Sequence, residues 1–592
     1  MLPGRWFLAA CAVVAAVVLL AGRSSALPLW LLAAEVLATI LGLFAFGSFR
    51  YQIHKNALTY GMLLVILATF CGLSTSTWHV EIAQQGRGAW IARHLLSFHG
   101  LDDLIHADTM LFILGLTLMV AVIAQTRLLE GLTFLLLRRF DGFILPTVIA
   151  VTAVVAVVSG VLGGVSMIGL TIRTLVIILM LAAAPVSAVR YAVMVCTAVT
   201  TICGVWFAYG EPPNLIMKAN LSPFLTNLFF LVYCGPIGVA SYLVVAGQLR
   251  KRLGAQRVKL DEMDVIDANV EDVRFLQASR HGQVLFPLEL VVDFAGEFSG
   301  RSDAVVERLR RGEPLGLAMV HEDVEVGARR LVLGHYVTDE LADGLDRHYL
   351  YVAAGDDEAA FMAEQAVDDV LASMAQSRKR AQKIAMLSLV PFIALLVVHG
   401  VWEQVPLSVA SFAGFAAALS AIWRIPKMRS LAMREAFLEY AEYYFLFPLF
   451  VSITLLTSAG FFDDMQSLIH AGIETLGQAH VAFAQFLGAT FLSAILDNNI
   501  VADFASRGLH GLDVRVLQFF AMAQISGYAL GGCWTHIGCA QSVVAYAFIQ
   551  RDVDAHYTPV QWMKEMTPVI VQILVMMGVI IYAVNTLLLW AT

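Results

Sequence analysis

Apolar runs of about 20 residues recur along this chain, and that repetition limits the fold more than any other feature. Wound as a helix, a run of that length crosses the hydrocarbon core of a bilayer. Such runs lie near 5–21, 28–47, 57–78, 107–125, 143–184, 189–210, 223–247, 384–400, 405–423, 443–459, 481–505, 515–548 and 566–590. The composition agrees: 59% of the 592 residues are hydrophobic and only 14% are charged. Mean hydropathy is +0.75, well above that of soluble domains. The chain therefore reads as an all-α polytopic membrane protein, in contact with the lipid bilayer.

The block 248–383 breaks the pattern. It is rich in Asp and Glu and contains strand-like runs at 284–294, 329–337 and 348–355. It reads as a small α/β cytoplasmic domain inserted between two membrane halves. Basic clusters at 248–259, 377–383 and 424–434 place that side inside, because cytoplasmic loops carry the excess of Lys and Arg. The expected location is the cell inner membrane, multi-pass. The expected divisions are N-terminal spans (1–99), a first repeat (100–247), the insert (248–383), a connecting hairpin (384–430) and a second repeat (431–592). Residues 1–26 fit either a first span or a signal peptide ending at Ser24-Ser25-Ala26; the apolar run that follows at once favours a span.

Several function classes find no support. None of the seven cysteines forms a CxxC pair, so neither a zinc site nor a disulfide framework is expected. No phosphate loop, HExxH or GxSxG occurs, so an enzyme is not expected. No cofactor and no nucleic-acid partner is expected.

Polar residues inside the grease are the informative ones. In ATFLSAILDNNIVADF (489–504), Asp497, Asn498 and Asn499 interrupt an apolar run, and Asp503 follows. An ionisable group at membrane depth costs about 2.5–3.5 kcal/mol on insertion scales and marks a functional site by default. Asp503, four residues before Arg507, also reads as half of a solvated ion pair.

Two Gly-rich stretches repeat. Gly204, Trp206 and Gly210 match Gly532, Trp534 and Gly538; 534 − 206 and 538 − 210 both give 328. A broken apolar segment precedes each: VVSGVLGGVSMIGL in the first half and TFLSAILDNNIVADF in the second. By span count, 107–125 and 443–459 run in opposite directions. The expected architecture is two inverted repeats with re-entrant hairpins and broken helices, which builds a substrate site near the midplane. Freed backbone groups at the breaks need partners from side chains, ions or water.

At these residues the chain resembles the ion transporter superfamily, which includes bacterial sodium/proton antiporters, arsenite permeases and divalent anion symporters. The matching pieces are HADTMLFILGLTLMV (106–120), GEPPNLIM (210–217), SAILDNNI (493–500) and GGCWTHIGCAQSVV (531–544). The resemblance implies that Asp497 and Asn498 lie at a hairpin tip and hold sodium. It implies that Glu211, Pro212, Pro213 and Asn214 form the first helix break, and Thr535, His536 and Gly538 the second. It also implies a homodimer. In the first half, Gly163 and Gly164 stand where the second has Asp497 and Asn498, so one half of the site would rely on backbone carbonyls.

The expected function is exchange of sodium, or another small cation, for protons. One acid can hold a proton or a small hard cation, hardly both, and that competition couples the two. An arsenite or dicarboxylate permease on the same fold, or a sensor working through 248–383, are the alternatives.

Overall fold

In this computed structural model the described residues are 4–48, 55–73, 76–126, 128–182, 184–254, 257, 284–287, 321–326, 329–336, 349–352, 357–402, 404–423 and 426–590. Much of the block expected to be an inserted domain lies outside them.

Outside one small sheet, every described element is helical. The chain opens with α1 (Gly4–Ser24), α2 (Leu29–Ser48) and α3 (Lys55–Cys71). Three short helices follow: α4 (Thr77–Gln85), α5 (Arg87–His94) and α6 (Phe98–Ile105). The Ser76 and Ser97 hydroxyls cap α4 and α6 by accepting the His79 and Gly100 amides, groups a helix start leaves unpaired. Next come α7 (Ala107–Gln125), α8 (Leu128–Arg139), α9 (Ile144–Leu162), α10 (Gly164–Leu181), α11 (Val186–Thr200), α12 (Pro212–Asn220) and α13 (Asn227–Arg252).

Strands β1 (Val284–Pro287), β2 (His321–Val326), β3 (Arg329–Tyr336) and β4 (Tyr349–Val352) pair antiparallel in the order β1-β4-β3-β2. Three of them fall in the expected strand-like runs, and β2 was not anticipated. The second membrane half follows: α14 (Asp357–Val401), α15 (Leu407–Leu419), α16 (Pro426–Ala441), α17 (Leu446–Ser458), α18 (Phe461–Leu476), α19 (Gln478–Ile495), α20 (Asn498–Arg507), α21 (Val514–Trp534), α22 (Ala540–Phe548) and α23 (Pro559–Trp590).

Among the described residues, nine helical segments are long and apolar enough to cross a membrane. Large apolar side chains stand exposed along several of them, such as Val17, Leu243, Val397 and Val579. That is the surface lipid would cover. The chain is a multi-helix membrane protein.

The expected divisions do not coincide with the ends of helices. The cuts at 99/100, 247/248, 383/384 and 430/431 fall inside, respectively, α6, α13, α14 and α16. Composition changes there, but the backbone hydrogen bonding does not. The connecting hairpin is also bound tightly to the first half. Asp108 Oδ2 accepts the Leu407 amide (2.7 Å), and Oδ1 accepts the Ser408 amide and hydroxyl (3.0 and 2.7 Å). An acid of α7 thereby caps α15, where the helix dipole favours negative charge.

At one end of the bundle, Arg190 of α11 donates to Asp554 (2.8 Å) and to Glu565 of α23 (2.7 Å). The Arg190 hydrogen bond holds the Asp554 carboxyl below its usual range.

Candidate functional site

Two helices are broken, and two turns reach the breaks. The first break separates α11 from α12. It consists of two tight turns, Ile202–Gly204 and Ala208–Gly210, followed by Glu211 in an extended conformation. Pro212 and Pro213 open α12, where no intrahelical amide is required. The second break, Thr535–Cys539, separates α21 from α22.

The turn between α9 and α10 is Gly163 alone, with φ of +82°, a conformation that glycine adopts without strain. The turn between α19 and α20 is Leu496-Asp497.

Each break rests on the arm beside it. A Cβ on Gly210 would lie 2.3 Å from the Ser159 carbonyl oxygen, and one on Gly538 would lie 2.7 Å from that of Ser493. Gly204 meets the Ser159 hydroxyl in the same way (2.6 Å), and Gly532 meets the Cys539 Cβ (3.1 Å). Gly210→Ala is therefore expected to cost about 1–3 kcal/mol or more, because backbone atoms cannot yield as a side-chain end does. Thermal unfolding of the detergent-solubilised variant measures it.

Glu211 is the most enclosed acid of the constellation, with 2% of its surface exposed. Gln541 Nε2, from the far side of the second break, donates to both its oxygens (2.7 and 2.9 Å). The space is so tight that a Cβ on Gly164 would sit 2.1 Å from Glu211 Oε1. Thus the Gly-Gly turn is where a carboxylate from the neighbouring break arrives. Among the described residues no Lys or Arg hydrogen-bonds with Glu211.

Asp497 caps α20 from within the bundle and is half-buried. Its Oδ1 accepts the Asn499 backbone amide (2.9 Å) and Asn499 Nδ2 (2.7 Å). Asp497 is in electrostatic reach of Glu211 and Cys539, so the turn stands beside both breaks. Lys55 of α3 reaches it through space as well, while pairing with Glu442.

The amides and hydroxyls divide into two kinds. Asn214 Oδ1 accepts the Tyr528 hydroxyl (2.6 Å), and Thr535 Oγ1 donates to the Ala494 carbonyl (2.6 Å). These tie break to break and break to turn. By contrast, Asn499 Oδ1 and His536 Nδ1 are buried without a hydrogen-bond partner among the described residues. Such atoms are rare in folded proteins and call for an explanation. Asn498 is buried beside them, and the His536 ring lies 4.6 Å from that of Tyr546.

Asp503 is corrected. It is fully buried rather than solvated, and it belongs to a different cluster. Arg507 Nε donates to its Oδ1 (3.0 Å), as does Asn220 Nδ2 (2.7 Å), and His106 Nε2 lies 3.5 Å away. Its charge is already balanced, which suits structure better than ion exchange.

Sequence reasoning missed Glu439, Ser166, Tyr443 and Lys55. Glu439 of α16 accepts the Ser166 hydroxyl (2.6 Å) next to the Gly163-Gly164 turn. The signal was present in Glu435 and Glu439, four apart on a helix that runs on toward an apolar segment; the nearby basic cluster masked it. Among the described residues no three His, Cys, Asp or Glu side chains gather as metal ligands, so an ion here would rest largely on amide, hydroxyl and carbonyl oxygens. No model of a known protein family matches this chain, and no curated protein matches it.

Proposed function

We propose that the protein is a secondary transporter that exchanges a small cation, sodium foremost, for protons. One observation carries this reading: Glu211, sealed between two helix breaks, has an amide as its hydrogen-bonding partner and another acid, Asp497, close by. A carboxylate in such surroundings has to be neutralised, because an isolated buried charge is prohibitively costly. A proton does that, and so does a hard cation held by several oxygens. The two compete for one place, and competition is what an exchanger needs.

The orphan acceptor Asn499 Oδ1 and the unshared Oδ2 of Asp497 supply further oxygens for the cation. The matched contacts Gly210–Ser159 and Gly538–Ser493 support the inverted-repeat reading. In each half a serine carbonyl near the end of the helix before the turn meets a glycine of the neighbouring break. In that architecture the site lies near the midplane and opens to each side in turn. The resemblance to the ion transporter superfamily points the same way; on this reading residues 248–383 lie on the cytoplasmic side of an inner membrane. Acids at 211 and 497 weigh against an anion permease, which would favour neutral side chains and free helix N-termini.

The purified protein in proteoliposomes holding a pH-sensitive dye provides the test, with sodium, lithium, potassium and calcium presented in turn. Proton efflux driven by at least one of them, without ATP, is the expected result. Dye signals no different from protein-free vesicles for all four would overturn the reading.

A further inference from the structure

The Gly163-Gly164 turn carries no side-chain oxygen of its own, yet it borders a small cavity of about 20 Å³, room for about one water or one small ion. Gly163, Gly164, Ser166, Pro212, Glu439 and Tyr443 are among the residues that line it, and none of its lining residues is basic. The acid comes from outside the hairpin: Glu439 of α16, half-buried, with the Ser166 hydroxyl at 2.6 Å. Among the described residues, Ser166 is its one hydrogen-bond donor. A structural carboxylate at this depth normally has a cation or several amides to balance it; Asp503 and Asp108 of this same chain do.

Tyr443, one turn further along, connects this cavity to the site above. It is buried, and Glu439, Glu211, Asp497 and Glu442 all act on its hydroxyl through space. Tyr443 and Glu439 both line the cavity.

We propose that Glu439, Ser166 and the Gly163-Gly164 turn form a second ion site, which takes one small hard cation or a proton. Helix α16 supplies the acid that the turn lacks. The inference rests on the exchanger reading for its role in transport, but not for its test. Each half of the molecule then has its own acid, Asp497 from within the turn in one and Glu439 from a neighbouring helix in the other.

A hydrophobic carbodiimide adds to protonated carboxyls in apolar surroundings, and peptide mass spectrometry locates the adduct. On the purified full-length protein, Glu439 is expected to label while its carboxyl is protonated and to label progressively less as rising pH removes that proton. Sodium at roughly ten times its dissociation constant is expected to cut labelling about tenfold. Ser166→Ala should shift that protection to higher sodium, and Glu439→Gln should remove the adduct from its peptide while Glu211 and Asp497 remain. Failure of Glu439 to label at any pH, or labelling that neither sodium, lithium, potassium nor calcium reduces, overturns the proposal.

The vesicle assay separates the two ideas. Cation-driven proton flux with cation-insensitive labelling at Glu439 sinks the second site alone. Cation-protected labelling without flux sinks the exchanger and keeps the site. If neither Glu439→Gln nor Ser166→Ala can be purified folded, the wild-type labelling curve decides by itself.

Discussion

Glu211→Gln and Asp497→Asn should each bring cation-driven proton flux down to the level of protein-free vesicles. Both changes preserve shape and remove the charge that a proton or cation would neutralise. At 211 the amide oxygen still accepts from Gln541 Nε2, and the extended backbone ahead of Pro212 is unaffected. At 497 an amide oxygen still caps α20 through the Asn499 amide, and Asn is as good a cap as Asp. The folded yield and the elution profile in detergent should therefore stay those of the wild type. Full flux in either variant would remove that acid from the exchange cycle. The pair also separates the two transport readings, because uptake of an anion survives Asp497→Asn whereas exchange of a cation does not.

Arg507→Ala should destabilise the protein by about 3–5 kcal/mol, the usual result of stripping a buried charge of its partner. Asp503 is inaccessible to water, and its Oδ2 already lacks a hydrogen bond. Without the guanidinium it keeps Asn220 and the neighbouring His106. Arg507 also donates to Thr457 (2.9 Å) and Thr454 (3.2 Å), so α20 loses its tie to α17 as well. The double variant Asp503→Leu, Arg507→Met should recover part of the loss, since it removes both charges together. The coupling is read from a thermal-unfolding cycle over the four proteins. Additive effects would show that the pair does not hold α20 in place.

The bundle and its breaks were legible in the sequence because they follow from local rules. Runs of apolar residues set the helices, Pro212 and Pro213 restart one, and the repeated Gly-Trp-Gly spacing marks both interruptions. Asp497 stood out because its neighbours are so apolar. What the sequence did not reveal depends on contacts distant along the chain. Glu439 meets Ser166 across 273 residues, and Gln541 meets Glu211 across 330. No local pattern encodes either meeting. For Asp503 spacing found the Arg507 partner, but spacing cannot tell a surface pair from a buried one. Composition shifts at 383/384 while α14 continues through it, so a change in composition is not a change in secondary structure.

The glycine contacts at 210 and 538 have a mechanical corollary. Main chain lies on main chain there, with no side chain between to swing aside. Shear along either contact would drive an α-carbon into a carbonyl, so each hinge-like turn and the interrupted helix beside it behave as one stiff wedge. In the proposed exchanger, any rocking that exposes the ions to one compartment or the other would have to part the joints made of side chains: Ser166 from Glu439, Asp503 from Thr454 and Thr457 by way of Arg507, Lys55 from Glu442. All three are held by charge, so the load that the wedges carry also governs how readily they come apart.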